Sequence, residues 1–200
     1  MTPPVKRSTG RHHGDLRRAL EEAALDLVAE RGPRGFTLAE ASRRAGVSVA
    51  APYKHFADRD ALLAVLAERG YRAQRESFTR AMAVAEGPVE RLAAFAAAYV
   101  RFAAEHRALF DVTFSAGLDK ADHEGVAVAG EELLAALLPA AAEVAPDREA
   151  AYDLLLRIAS AAHGLALFLR QGLFGVSADA LDQTSDRAAR TARDLAHGGG

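Results

Sequence analysis

The chain has 200 residues, half of them apolar, 26% charged and none of them cysteine; this suits a globular fold of one or two domains and excludes disulfides, thiol catalysis and zinc-finger sites. The formal net charge is only −2, but residues 1–80 hold 15 Lys and Arg against 10 Asp and Glu, leaving 10 against 17 for the remainder. Only the front of the molecule is therefore expected to approach a polyanion.

Residues 1–11 combine prolines with a Ser-Thr-Gly cluster and read as a flexible basic arm carrying Lys6, Arg7 and Arg11. They lack the pattern of a signal peptide, and no apolar run approaches bilayer length, so no membrane partner is expected and the cytoplasm is the expected compartment. From Asp15, the residues Leu16, Leu20, Ala23, Leu27 and Val28 recur at helical spacing until Arg31-Gly32-Pro33 stops the helix. Thr37 and Glu40 have the spacing of a capping box, which starts a short helix that Gly46 ends after Ala45. Ser48 can then cap a second short helix over 49–56.

Asp58 caps a long helix through Leu62, Leu63, Leu66, Tyr71 and Phe78 to the mid-eighties. Gly87-Pro88 closes it and starts the next, which carries Leu92, Phe95, Ala96, Tyr99 and Phe102 to Glu105. A shorter helix over 107–115, a charged loop over 117–125 and a helix over 126–138 ended by Pro139 follow. Between 147 and 174, Leu154, Leu155, Ile158, Ala161, Ala162, Leu165, Phe168 and Leu169 form a stripe broader than one subunit's core requires. Ser177 or Asp179 opens a final helix to Ala196. No segment alternates with period two, so the fold is expected to be all-α with about nine helices. An N-terminal three-helix head (12–58) would be joined by a long helix to a C-terminal bundle (59–200).

The most specific signal is residues 37–56, TLAEASRRAGVSVAAPYKHF: two short helices joined by a glycine turn, with small Ala41 and Ser42 where they cross. That is the logic of a helix-turn-helix, whose second helix enters the major groove of double-stranded DNA by its first residues. Val49, Ala50 and Ala51 would then face base edges, next to the capping Ser48. Tyr53, Lys54 and His55 would reach phosphates, and Arg43 and Arg44 would add positive charge. Equally, Phe56 and the ring of Tyr53 would pack the small domain's core, and the two arginines alone would be no more than a solvated face.

Gly46-Val47-Ser48, Tyr53-Lys54-His55-Phe56 and Asp58-Arg59-Asp60-Ala61-Leu62-Leu63, preceded by Phe36-Thr37-Leu38, resemble the DNA-binding domain of TetR/AcrR-type transcriptional regulators over residues 12–70. His12-His13-Gly14-Asp15-Leu16 and His163-Gly164-Leu165-Ala166 are similar to the WHG-domain branch of that family. The resemblance implies phosphate contacts from Thr37, Tyr53, His55 and Arg59, and base contacts from Val49, Ala50 and Lys54. The chain departs from the pattern at Pro52, where the family usually has Leu, and at Ala159, where the branch often has Trp.

Phe95, Tyr99, Phe102, Phe110, Phe114 and Phe168, with His163 as a polar anchor, would line an effector cavity between helices or serve as plain core. His12 and His13 point about 100° apart on a helix and make a poor chelate, so no metal is expected; no cofactor is expected either. The chain carries no paired-carboxylate, Glu-x-x-His or nucleophile motif, and an enzyme is not expected. The expected function is a repressor that binds a near-palindromic operator as a homodimer, through Leu154, Ile158, Ala161, Leu165 and Leu181, and is released by an unidentified small-molecule effector. The alternatives are an architectural DNA-binding protein without effector control and, behind it, an all-α carrier or enzyme.

Overall fold

A computed structural model describes residues 11–119, 122–175, 177 and 179–198, with side chains from Leu16 onward. The expected basic arm with Lys6 and Arg7, and the side chains of Arg11, His12 and His13, lie outside the described residues. Among those described there are eight α-helices, one 3-10 turn and no strand: α1 (Arg11–Arg31), α2 (Leu38–Arg44), the turn Pro52–Lys54, α3 (Arg59–Ala83), α4 (Pro88–Glu105), α5 (Arg107–Ser115), α6 (Glu124–Ala142), α7 (Arg148–Arg170) and α8 (Ala180–His197).

The chain packs around two apolar clusters. The first unites Leu20, Leu27, Phe36, Leu38, Phe56, Leu62, Leu63 and Leu66 from the first four elements and the chain between them, and it takes in Val112 of α5, Ala116 just after it, and Val126 and Ala129 of α6. The second is built on Phe78, Phe95, Tyr99, Phe102 and Phe110, closed by Leu154, Leu155 and Ile158 of α7 and by alanines of α8. Those small residues let α8 lie close along α4, the most extensive helix pairing in the molecule. α3 serves both clusters, its buried stripe running from Leu62 through Tyr71 to Phe78 and Met82.

Three differences from the sequence-based expectation have local causes. The expected helix over 49–56 contracts to one 3-10 turn at Pro52–Lys54. Pro52 has no amide to donate to the Ser48 carbonyl, and Asp58 already caps the next helix by accepting from Ala61 N (2.8 Å). Pro139 does not end α6: the helix continues to Ala142, at the loss of one backbone bond on an exposed face. α7 stops at Arg170 rather than near 174, because Leu173 N folds back onto the Phe168 carbonyl (3.0 Å) and Gly172 N onto that of Leu169 (3.0 Å). α6 and α7 are each long and apolar enough to cross a bilayer by length and composition alone, yet each turns one face into the body, through Val126 and Leu137 and through Leu154 and Ile158.

Candidate functional site

Local backbone devices aim the tip of the head. The capping box at α2 is complete: Thr37 Oγ1 accepts from Glu40 N (3.2 Å) and Glu40 Oε2 accepts from Thr37 N (2.8 Å). Ala41 and Ser42 are fully buried where α2 meets α1, and the Ser42 hydroxyl is satisfied by the Leu38 carbonyl (2.8 Å). At the other end Gly46 takes φ +70°, a left-handed conformation that a side chain would strain, and Val47 N reaches back to the Ser42 carbonyl (3.0 Å). The chain therefore reverses within two residues. Pro52 and Phe56 are buried beneath the reversal and anchor it.

With its underside fixed, the turn holds Ser48, Val49, Ala50, Tyr53 and Lys54 in solvent, while Ala51 and His55 are half-buried. Val49 is 48% and Tyr53 61% exposed. A valine beside an alanine on a rigid, exposed turn offers methyl groups to another surface, and an exposed tyrosine adds a hydroxyl. The ring of His55 lies 6.4 Å from that of Phe56.

The cations around this tip are not equivalent. Arg44 forks onto Glu30 (2.6 and 2.9 Å), and Arg59 onto Asp60 (3.1 and 2.9 Å). The Arg44 guanidinium holds the Glu30 carboxyl below its usual range, and the Thr37 backbone amide does the same for Glu40. Arg43 and Lys54 are exposed and have no ion-pair partner among the described residues. The hydroxyl of Thr37 lies 2.9 Å from Glu40 Oε2 and is committed to the cap.

The body holds a cavity of about 300 Å³ between α3, α4, α6 and α7. Of the aromatic residues singled out in the sequence, Phe95, Tyr99 and Phe114 line it. Phe102 and Phe110 are buried in the cluster alongside, and Phe168 is 46% exposed with its ring against Phe174 (6.2 Å). His163 lines a neighbouring groove, joined to the Tyr99 hydroxyl through Nδ1 (2.9 Å) and enclosed by the rings of Phe110 and Phe114 at 5.3 and 5.1 Å. Burial, and then Arg170, hold the imidazole below its ordinary value, while burial pushes the Tyr99 hydroxyl up.

Gln74 also lines the cavity and belongs to no motif in the sequence. It is 1% exposed, and its Oε1 has no hydrogen-bond partner among the described residues. The signal that could have found it is phase: Gln74 falls on the stripe Leu66, Gly70, Tyr71, Phe78 along which α3 is otherwise apolar.

The α7 and α8 residues marked for a subunit interface divide into two sets. Leu154 and Ile158 are buried within the subunit, whereas Ala161, Leu165 and Leu181 are half-exposed. The large apolar side chains exposed on α7 and just after it are Tyr152, Leu156, Phe168 and Leu173.

Residues 20–66 match a family model described as bacterial regulatory proteins, tetR family, and residues 92–192 match one described as a tetracyclin repressor-like C-terminal domain. The second stretch includes His163-Gly164-Leu165-Ala166. A protein of unknown function from Rhodococcus sp. RHA1 is similar at 32% identity and TM-score 0.74, over 92% of this chain and 98% of that one. Two other solved structures share the fold. A TetR family transcription regulator from Marinobacter aquaeolei VT8 has 19% identity and TM-score 0.69 over 92% and 97% of the two chains. The fatty acid degradation regulator FadR from Bacillus halodurans has 14% identity and TM-score 0.71 over 94% and 97%. No curated protein matches the chain at a significant level.

Proposed function

As a member of the tetR family of bacterial regulatory proteins, the chain is a DNA-binding transcriptional regulator, and we propose that it acts as a homodimeric repressor released from a near-palindromic operator by a small apolar effector. The observation that carries this reading is the exposed turn at 48–54, where Val49 and Ala50 stand in solvent with Arg43 and Lys54, cations that have no ion pair among the described residues, over buried Pro52 and Phe56. Residues 12–58 serve as the DNA-binding unit and 59–200 as the effector-binding and dimerisation unit. The protein works in the cytoplasm and catalyses nothing.

One head buries too little surface for tight, specific binding, so two must act together, about 34 Å apart on successive major grooves. The exposed Tyr152, Leu156 and Phe168, with half-exposed Ala161, Leu165 and Leu181, provide the apolar face for that pairing. Lys54, Arg43, Arg44 and Arg59 supply phosphate neutralisation, with Tyr53 and His55 hydrogen-bonding the backbone of the duplex, while Thr37 keeps its hydroxyl on the α2 cap. Val49, Ala50 and Ala51 make methyl contacts to thymine, so sequence preference leans on those contacts and on DNA shape.

Release requires an effector that binds the spacing of heads unable to span the operator more tightly than the spacing that can. α3 runs from the Asp58 cap past the cavity, and α5 carries Val112 in the head's core and Phe114 at the cavity. The test is a titration of the full chain against DNA immediately upstream of its own gene, at several salt concentrations, with excess unrelated competitor. Competitor-resistant binding by a dimer with a steep salt slope is expected. Binding that competitor abolishes would favour an architectural role, and no binding at low salt would overturn the placement of residues 37–59.

A further inference from the structure

We infer that the effector is an uncharged, mainly apolar molecule of about two fused rings that donates one hydrogen bond to Gln74 Oε1. The inference rests on the reading of the body cavity as the effector site.

Its polarity follows from a short chain of hydrogen bonds. The Thr113 hydroxyl gives its proton to the Leu109 carbonyl (2.8 Å), so toward Gln74 it can only accept. The Gln74 amide therefore turns its nitrogen to Thr113 Oγ1 (3.3 Å), which fixes the orientation of the amide and leaves Oε1 as its unused end. That oxygen is buried and has no partner among the described residues. A buried acceptor left bare destabilises its surroundings, and a donor brought by a ligand relieves that cost. Gln74 lines the cavity; Thr113 does not.

Gln74 shares the cavity wall with the hydroxyl-bearing Tyr71, Tyr99 and Tyr152, and is the one amide among them. The Tyr99 hydroxyl is taken by His163 Nδ1 (2.9 Å). Among the described residues lining the cavity none is Asp, Glu, Lys, Arg or His, so an ionised guest would be desolvated without a counter-charge. Size follows from volume: about 150 Å³ suffices for one benzene ring, and the cavity has about 300 Å³.

Indole, N-methylindole and indole-carboxylate are three probes of nearly equal shape that separate these properties: donor, no donor, and charge. They are titrated calorimetrically into the full chain without DNA. Indole is expected to bind at least about tenfold more tightly than N-methylindole, and the carboxylate more weakly than either. Gln74→Leu, with unchanged circular dichroism, is expected to erase the preference for indole over N-methylindole. Equal wild-type affinities for these two, a preference for the carboxylate, or no binding by any probe would overturn the inference without recourse to the variant. Repeating the titration on the operator complex separates the two claims. Discriminating binding that leaves the DNA bound would uphold the cavity's chemistry and refute effector release. Release by indole and N-methylindole at equal concentrations would do the reverse.

Discussion

The head and the body of this regulator are held together by different means. In the head, order comes from neighbours in sequence: the Thr37–Glu40 box, the reversal at Gly46 and the Asp58 cap each close over three to five residues. In the body, order comes from partners far apart. Phe78 meets Phe95, Tyr99 and Phe102 at 5.3, 5.5 and 6.0 Å between ring centroids, and Arg193 clasps Glu90 across 103 residues. The contrast suits the two tasks. A surface that reads DNA needs a few side chains held on an exposed turn, whereas a bundle that encloses a cavity of about 300 Å³ needs distant partners to frame it.

Substitutions can test that contrast, beginning with the largest effect. Phe78→Ala removes the hub of the aromatic cluster and is expected to cost about 3–5 kcal/mol in urea unfolding; a loss under about 1 kcal/mol would mean that the body's packing is not what stabilises it. Gly70→Ala places a methyl group against the Thr113 hydroxyl where α3 crosses α5, with an expected cost of about 1–3 kcal/mol from the forced separation. Thr37→Ala breaks a local device in the head and should cost about 1 kcal/mol, measured in the same unfolding experiment.

Smaller effects read charge. Lys54→Ala is expected to lower the salt slope of operator binding by about one counterion, while Arg44→Ala, whose guanidinium is already paired with Glu30, is expected to change the slope less. Equal effects would show that the Glu30 pair opens on DNA. His163 gives a pH test. Because its folded value lies below the ordinary 6.5, the unfolded chain takes up the proton first. Its contribution is complete above that value and is lost as pH falls through it toward the folded value. Wild-type stability should therefore drop between pH 7.5 and 6 by more than that of His163→Phe; identical drops would remove His163 as the cause.

Much of the head was legible because its signals are local. Thr37 with Glu40, Gly46 and Asp58 predict the boundaries that the structure has. The stretch after Ser48 was harder, since Pro52 fits a first helical turn as readily as it cuts the helix to a single 3-10 turn. In the body, periodicity gives the helices but not the direction of each stripe. Leu154 and Ile158 share a broad apolar pattern with Leu165 and Phe168, yet the first two are buried in the body's core while Leu165 is half-exposed and Phe168 exposed. Gln74 hid for a similar reason: a lone glutamine on a long helix looks like surface until its neighbours show that it points inward.

The long pairing of α4 with α8 also bears on how the molecule is made. From Glu105 the chain grows by 92 residues to reach His197, which takes a ribosome roughly 5–20 s. For that interval Leu92, Phe95 and Val100 emerge without the helix that lies along them, while the head's cluster is completed part-way through it by Val112, Ala116, Val126 and Ala129. A nascent chain thus carries a reading head on an open apolar trough, so binding by a holdase chaperone should peak during this stretch of translation and end as α8 leaves the tunnel.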